Sequence, residues 1–207
     1  HDLKVPIIAE SNILEFLIDG KFGDINEKQK EAILNMKTSN TELLDLVHVL
    51  LETYKIRDNG IKLQKEKIEV NGLVSNVITE MSPIAQKANL KINFSASKTI
   101  NISADEMQIK RVLKNIIQNA ISHSETTDID VSIDTIPHFV QIKIKDYGKG
   151  ISEENLKQVF NKYYSTAKKF RKIGTGLGLY LAQQIIKTHG GEIVAKSKEN
   201  VGTEFCI

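Results

Sequence analysis

The chain has no tryptophan, one cysteine (Cys206) and three prolines among its 207 residues. A single cysteine excludes an intrachain disulfide and fits a reducing, cytoplasmic setting. Scarce proline and 41% apolar residues argue for a packed globular chain rather than a disordered one. Net charge is nearly absent too: 28 Lys and Arg against 26 Asp and Glu leave +2. No global field therefore points to nucleic acid. No apolar run approaches the roughly 18 residues of a membrane span, and no signal-peptide pattern opens the sequence. Membrane attachment would have to come from segments outside this sequence, which starts at His1 without Met. No Cys/His cluster has zinc-site spacing.

What is present falls into two parts. Leu3, Ile7, Leu14 and Leu17 recur at helical spacing over residues 2–18. Gly20 and Gly23 break the pattern in a loop over 19–24. A second helix is expected from about Asn26 to Arg57, with Ile33, Met36, Leu43, Val47, Leu50 and Tyr54 as its apolar stripe. At about 32 residues it would span roughly 48 Å, too long for the first helix to cover. Two such hairpins cover each other as a four-helix bundle, so a homodimer is expected. Residues 1–58 read as this hairpin, 59–66 as a linker and 67–207 as a second domain.

The second domain mixes periods. Strands are expected at 66–70, 90–95, 100–103, 128–135, 139–145, 191–196 and 203–207, and helices at 72–88, 105–122 and 175–189. Hairpins outnumber crossovers, so the fold class is α+β: a helical hairpin followed by a sandwich of one mixed sheet with helices on one face.

Three segments carry chemistry. Gly174-Thr175-Gly176-Leu177-Gly178-Leu179 opens a helix, and Asp146-Tyr147-Gly148-Lys149-Gly150 follows a strand. Glycines let backbone approach a ligand, and a helix N-terminus offers N–H groups to phosphate. Taken alone the run serves a structural turn equally well, and no Walker lysine follows it. Asn115 and Asn119 lie four apart on one helix and can offer carboxamide oxygens to Mg²⁺, which keeps waters and bridges phosphates. Residues 162–172 are rich in cations, including Lys162, Arg171 and Lys172, and read as a loop able to close over anionic phosphates. At the start, His1 can accept a phosphoryl group on a ring nitrogen, and Asp2 can take its proton or hydrogen bond.

Together these segments resemble the catalytic core of sensor histidine protein kinases. His1-Asp2-Leu3-Lys4-Val5-Pro6 is similar to the family's phosphoacceptor box, and Arg111 to Ile121 to its asparagine box. Asp146 to Ile151 and Gly174 to Leu179 resemble its two glycine boxes, and Val159 to Tyr163 its phenylalanine box. His189-Gly190-Gly191 and Gly202-Thr203-Glu204-Phe205 resemble its closing segment. The motifs fall in family order across the whole chain. The resemblance implies ATP and Mg²⁺ as cofactors, the ATP-binding sandwich shared with gyrase and Hsp90-type ATPases, and autophosphorylation of His1. Transfer to an aspartate of a response-regulator receiver domain would follow. It further implies Mg²⁺ and phosphates at Asn119 and Asn115, adenine at Asp146, and stacking by His123. Gly148, Gly150, Ile151, Lys162, Tyr163, Arg171, Lys172, Leu179 and Thr203 would complete the nucleotide contacts, with the glycine run. A hinge near 58–66 would bring His1 to the γ-phosphate. A GHKL-type ATPase without autokinase activity is the alternative.

Three positions depart from that family. Ser122 stands where a phosphate-contacting Lys is usual, and Ser165 where an Arg is frequent. Val5 stands four residues after His1, where phosphatase-competent members carry Thr or Asn to orient a water. Valine cannot hydrogen-bond, so weak or absent phosphatase activity is expected. Incubation with a phosphorylated receiver domain checks this; dephosphorylation well above the spontaneous rate would contradict it.

Overall fold

A computed structural model describes residues 4–59, 62–96, 98–123, 128–164 and 176–207. The chain divides into two compact units, one helical that holds the residues through Gly60 and one α/β of Ile61–Thr166 and Gly176–Ile207.

The helical unit is a hairpin of α1 (Lys4–Ile18) and α2 (Glu27–Asn59). Gly20 and Gly23 turn the chain at φ 72° and 108°, in the left-handed region that favours glycine. A reciprocal capping box starts α2: Gln29 N–H donates to Asn26 Oδ1, and Asn26 N–H to Gln29 Oε1, each at 2.9 Å. Ile7 and Leu14 of α1 are buried, as is Ile33 of α2. The expected stripe on α2 is only partly an internal one, because Met36 is 58% and Leu43 46% exposed. Between them lies buried Asn40. Its Nδ2 donates to Ile7 O at 2.9 Å and Ser11 Oγ at 2.8 Å, using both hydrogens against α1. Val5, Ile8, Ile13 and Phe16 of α1 are also exposed.

The second unit is built on a mixed five-stranded sheet in the order β2-β4-β5-β7-β6, with β2 (Lys91–Ala96), β4 (Asp128–Ile136), β5 (Phe139–Asp146), β6 (Val194–Lys198) and β7 (Gly202–Cys206). Only β2 and β4 run parallel. Alternation sets two faces. Ile129, Val131 and Ile133 pair with Asp146, Ile144 and Ile142, and Ile144 with Phe205, giving one apolar face. Asp130, Lys145, Glu204 and Lys196 form a charged row on the other. The apolar face is covered by α3 (Val70–Lys87), α4 (Glu106–His123) and α6 (Gly178–His189), whose Val74, Val77, Leu113, Ile116, Ile117 and Ile185 are almost wholly buried. This is the α+β sandwich with helices on one face.

The structure adds what periodicity did not show. β1 (Glu66–Glu69) and β3 (Asn101–Ala104) form a separate two-stranded ribbon, and α5 (Glu153–Leu156) is a single turn capped by Ser152. The sixth strand begins at Val194 rather than 191, since Gly190 at φ 88° ends α6 and Gly191 continues its cap. Asp105 caps α4 by accepting from Gln108 N–H at 3.1 Å, and its own N–H donates to His189 Nε2 at 3.0 Å. That acceptor role puts the imidazole proton on Nδ1, which donates to Ile185 O at 2.8 Å. His189 is thus a structural tie between α4 and α6. Among the described residues, no helix is long and apolar enough to cross a membrane.

Asn40 offers a test of what holds the hairpin. Replacing both partners of a buried polar contact by apolar surface costs little, whereas a truncation leaves a void. Asn40→Ala is expected to lose about 1–2 kcal/mol, and Asn40→Leu paired with Ser11→Ala, which removes polar side chains on both helices, to lose less. Chemical denaturation at one fixed protein concentration measures both; a loss in the double variant as large as in Asn40→Ala would show that the amide itself is required.

Candidate active site

The site is assembled within the α/β unit. Its scaffold is α4, which carries Asn115, Asn119 and His123 at four-residue spacing and so on one face. Eight residues of helix separate the ends of this row by about 12 Å. The three side chains border the buried stripe Val112, Ile116 and Ala120, which anchors the helix to the sheet.

One end of the row faces Asp146, the last residue of β5. This aspartate is only 5% exposed. Its Oδ1 accepts N–H groups from Gly148 at 2.9 Å and Thr203 at 3.3 Å. Burial pushes its pKa up; the two amide bonds and the charge of nearby His123 oppose that rise. Thr203 lies opposite Asp146 in the β5–β7 pairing and is equally buried. Two glycines make room here. A Cβ on Gly202, at φ 125°, would sit 2.1 Å from Asp146 O, and one on Gly150, at φ 66°, would sit 2.1 Å from Lys198 O. Ile151 follows with its N–H donated to Ser197 Oγ at 2.8 Å.

The other end meets the start of α6. Leu177, buried and apolar, occupies the N-cap position and supplies no capping oxygen. A Cβ on Gly178 would lie 2.3 Å from Asn115 Oδ1, so only glycine lets the carboxamide rest against the helix opening. Asn115 Nδ2 is buried without a hydrogen-bond partner. Such orphans are rare in folded chains and each needs a reason. A helix N-terminus without a side-chain cap, a glycine cradle and an unpaired amide donor together suit a phosphate oxygen. Leu179 completes the first turn of α6. Lys162 reaches the same turn, with Nζ 4.8 Å from the Tyr180 ring centroid. Gly176, at φ 64°, packs against the backbone of Tyr163 and Tyr164, and Tyr163 itself is at φ 64°. Phe160 fixes this segment by an edge-on contact with Phe205, ring centroids 6.4 Å apart.

Asn115, Asn119, His123, Asp146, Gly148, Gly150, Ile151, Lys162, Tyr163, Gly176, Leu177, Gly178, Leu179 and Thr203 are thus in the described part of this unit. His1, Asp2, Arg171, Lys172, Gly174 and Thr175 lie outside the described residues, as does Ser165. Ser122, another of the three departures, accepts from Gln118 Nε2 at 3.3 Å. Sequence reasoning missed Ser197, whose signal was its position opposite Thr203 in the last hairpin. Among the described residues no group of three or more His, Cys, Asp or Glu could hold a metal. The carboxamide oxygens of Asn115 and Asn119 are a sparse donor set of the kind that could hold Mg²⁺ when it keeps waters.

A buried carboxylate at one end and a helix start with no side-chain cap at the other suit the two ends of a nucleotide. Residues 104–207 match the family of histidine kinase-, DNA gyrase B- and HSP90-like ATPases, and the chain belongs to that family. ATP binding is the property its members share. Similar curated proteins are a sensor histidine kinase and a sensor protein. YvrG of Bacillus subtilis is 29% identical and SrrB of Staphylococcus aureus 31% identical, each over the whole chain. The chain spans about a third of either relative, 36% of its length. Among solved structures, the catalytic domain of the histidine kinase ThkA is 28% identical with a TM-score of 0.62, covering 69% of this chain and 93% of that one. The fold of full-length ShkA, crystallised with AMPPNP, superposes over the whole chain and 43% of its own at a TM-score of 0.83 and 22% identity.

The raised pKa of Asp146 has a stability consequence with a definite sign. The folded state binds this proton more tightly than the unfolded state does. Below the ordinary aspartate pKa both states are protonated and nothing is lost. As pH rises from there through the raised folded value, ionisation increasingly destabilises the fold. Asp146→Asn keeps an oxygen for the Gly148 and Thr203 amides and removes the buried charge. Without nucleotide it is expected to melt at or above the wild-type temperature at neutral pH, the difference shrinking toward about pH 3. ATP binding should weaken by at least about tenfold. Thermal melts across pH and calorimetric titration measure both; a variant that melts well below the wild type at neutral pH would contradict the assignment.

Proposed function

We propose that this chain is the kinase core of a two-component sensor, which phosphorylates His1 from ATP and passes the phosphoryl group to an aspartate of a response-regulator receiver domain. The orphaned Asn115 amide beside the start of α6 carries this reading, because an unpaired buried donor there supports a phosphate at that end of the site. ATP supplies the phosphoryl group: a His1 ring nitrogen forms the new bond to the γ-phosphorus as the bond to the ADP oxygen breaks. Asp2 takes the ring proton or holds it by a hydrogen bond. Asn119 and Asn115 would hold Mg²⁺, whose charge would offset that of the phosphates. Lys162, Arg171 and Lys172 add positive charge from the segment between the glycine boxes. Phosphoryl transfer asks the protein for alignment and charge compensation more than covalent participation, and these groups provide both. His123 lies against the adenine whose amino group Asp146 accepts.

Residues 1–58 serve as the dimerisation and phosphoacceptor hairpin, 59–66 as a linker and 67–207 as the ATP-binding domain. The exposed Val5, Ile8, Ile13, Met36 and Leu43 support a homodimer closed as a four-helix bundle, since a lone hairpin leaves this apolar surface wet. Any membrane attachment comes from outside this chain, whose kinase core works in the cytoplasm. Nucleic acid is not a partner.

Incubation with γ-labelled ATP and Mg²⁺ tests the activity. The expected product is acid-labile, alkali-stable label on the protein, absent in His1→Gln and in Asn119→Ala. Release of free phosphate with no labelled protein would instead identify an ATPase without autokinase activity.

A further inference from the structure

The hydroxyl network behind Asp146 has only one consistent arrangement of protons. Ser197 Oγ has three polar neighbours: Gly202 O at 2.8 Å, Ile151 N at 2.8 Å and Thr203 Oγ1 at 2.9 Å. A hydroxyl has one proton and two acceptor lone pairs. Gly202 O carries no proton, so at 2.8 Å the Ser197 proton must lie on that contact. The Ile151 amide can only donate, so it takes one Ser197 lone pair. Ser197 has then spent its proton, and the contact with Thr203 can be made only if Thr203 donates. Ser197 is left with its one donor and both acceptors in use.

The consequence falls on Thr203. Its hydroxyl proton is committed to Ser197, so the oxygen presents lone pairs alone to its remaining surroundings. Its amide binds Asp146 Oδ1, so this acceptor-only oxygen stands beside the carboxylate, opposite it in the β-pairing. With Asp146 ionised, two adjacent acceptors stand at this end of the site.

We propose that Ser197 is a specificity-determining positioning residue: by fixing the direction of the Thr203 hydroxyl proton it makes the site select a 6-aminopurine and reject a 6-oxopurine. A carboxylate alone is a weak discriminator. It accepts from the amino group of adenine, and it accepts equally from the ring N–H of a 6-oxopurine. The neighbouring group decides. An acceptor-only oxygen suits an amino group, which has two hydrogens to give. It repels a carbonyl oxygen, which has none. A Thr203 hydroxyl free to rotate would donate to that carbonyl and lose the distinction. Ser197 does this without touching the base. The inference rests on the nucleotide reading of the site and deepens it.

Inosine triphosphate is the matched probe, since it differs from ATP at the 6-position in bearing oxygen for nitrogen, with a ring proton. Calorimetric titration of the intact chain gives the ratio of its affinities for ATP and inosine triphosphate. In Ser197→Ala the ratio is expected to fall by about tenfold, the scale of one misdirected buried hydrogen bond. Loss of the Ile151 contact should weaken both ligands alike and cancel in the ratio. Ser197→Thr, which restores the hydroxyl, should return the ratio to wild type. Thr203→Val removes the oxygen while leaving Ser197 in place and should narrow the ratio as well. An unchanged ratio in Ser197→Ala overturns the proposal. So does a full ratio in Thr203→Val, whether or not Ser197→Ala still binds nucleotide. A wild-type chain that binds neither nucleotide removes the ATP reading itself, and this inference with it.

Discussion

The α/β unit depends on keeping one carboxylate dry. Asp146 ends a strand whose inward residues are otherwise isoleucines, and burial there works against its charge. Two backbone amides, from Gly148 and Thr203, partly offset that cost. Those amides are in place because glycine at 202 lets β7 run against the Asp146 carbonyl where any side chain would collide. The packing of the last strand, the turn after β5 and the electrostatics of the site are thus one constraint seen from three sides. A charge held in this way is poor for stability and good for binding, because a ligand donor meets an acceptor that water has not already satisfied.

The other end of the row from His123 to Asn115 has the inverse chemistry. There an amide donor is left over, and the start of α6 lacks a side-chain cap. Glycine at 178 is again what permits the approach. The α4 helix therefore spans from an acceptor-rich end to a donor-rich end. That polarity matches a molecule with an amino-bearing base at one end and phosphates at the other. It follows from packing as much as from ligand contacts: His189 ties the start of α4 to the end of α6, so the two helices cannot slide independently.

Much of this was legible in the residues. The four-residue spacing of Asn115 and Asn119 placed them on one face. The glycine pairs marked the turns, and alternation in 128–135 and 139–145 located the central hairpin. Three kinds of feature escaped. The β1–β3 ribbon joins segments some 35 residues apart, and nothing local in Glu66–Glu69 announces its partner. Asn40 has no local signal, because its worth lies in two acceptors on another helix. Ser197 has none either, because its role depends on three partners brought together only by the closed sheet. Local pattern reports faces and turns; it does not report who meets across the fold.

The polarity of the site along α4 is the central claim, and splitting the ligand tests it most directly. Backbone and side-chain amide NMR spectra can be recorded with adenosine alone and with inorganic tripolyphosphate plus Mg²⁺. Adenosine is expected to shift the Gly148 and Thr203 amides and leave Gly178 still, while tripolyphosphate shifts the Asn115 side-chain amide and Gly178 and leaves Thr203 still. Both ligands shifting the same residues, or tripolyphosphate perturbing the Asp146 end, would contradict the account.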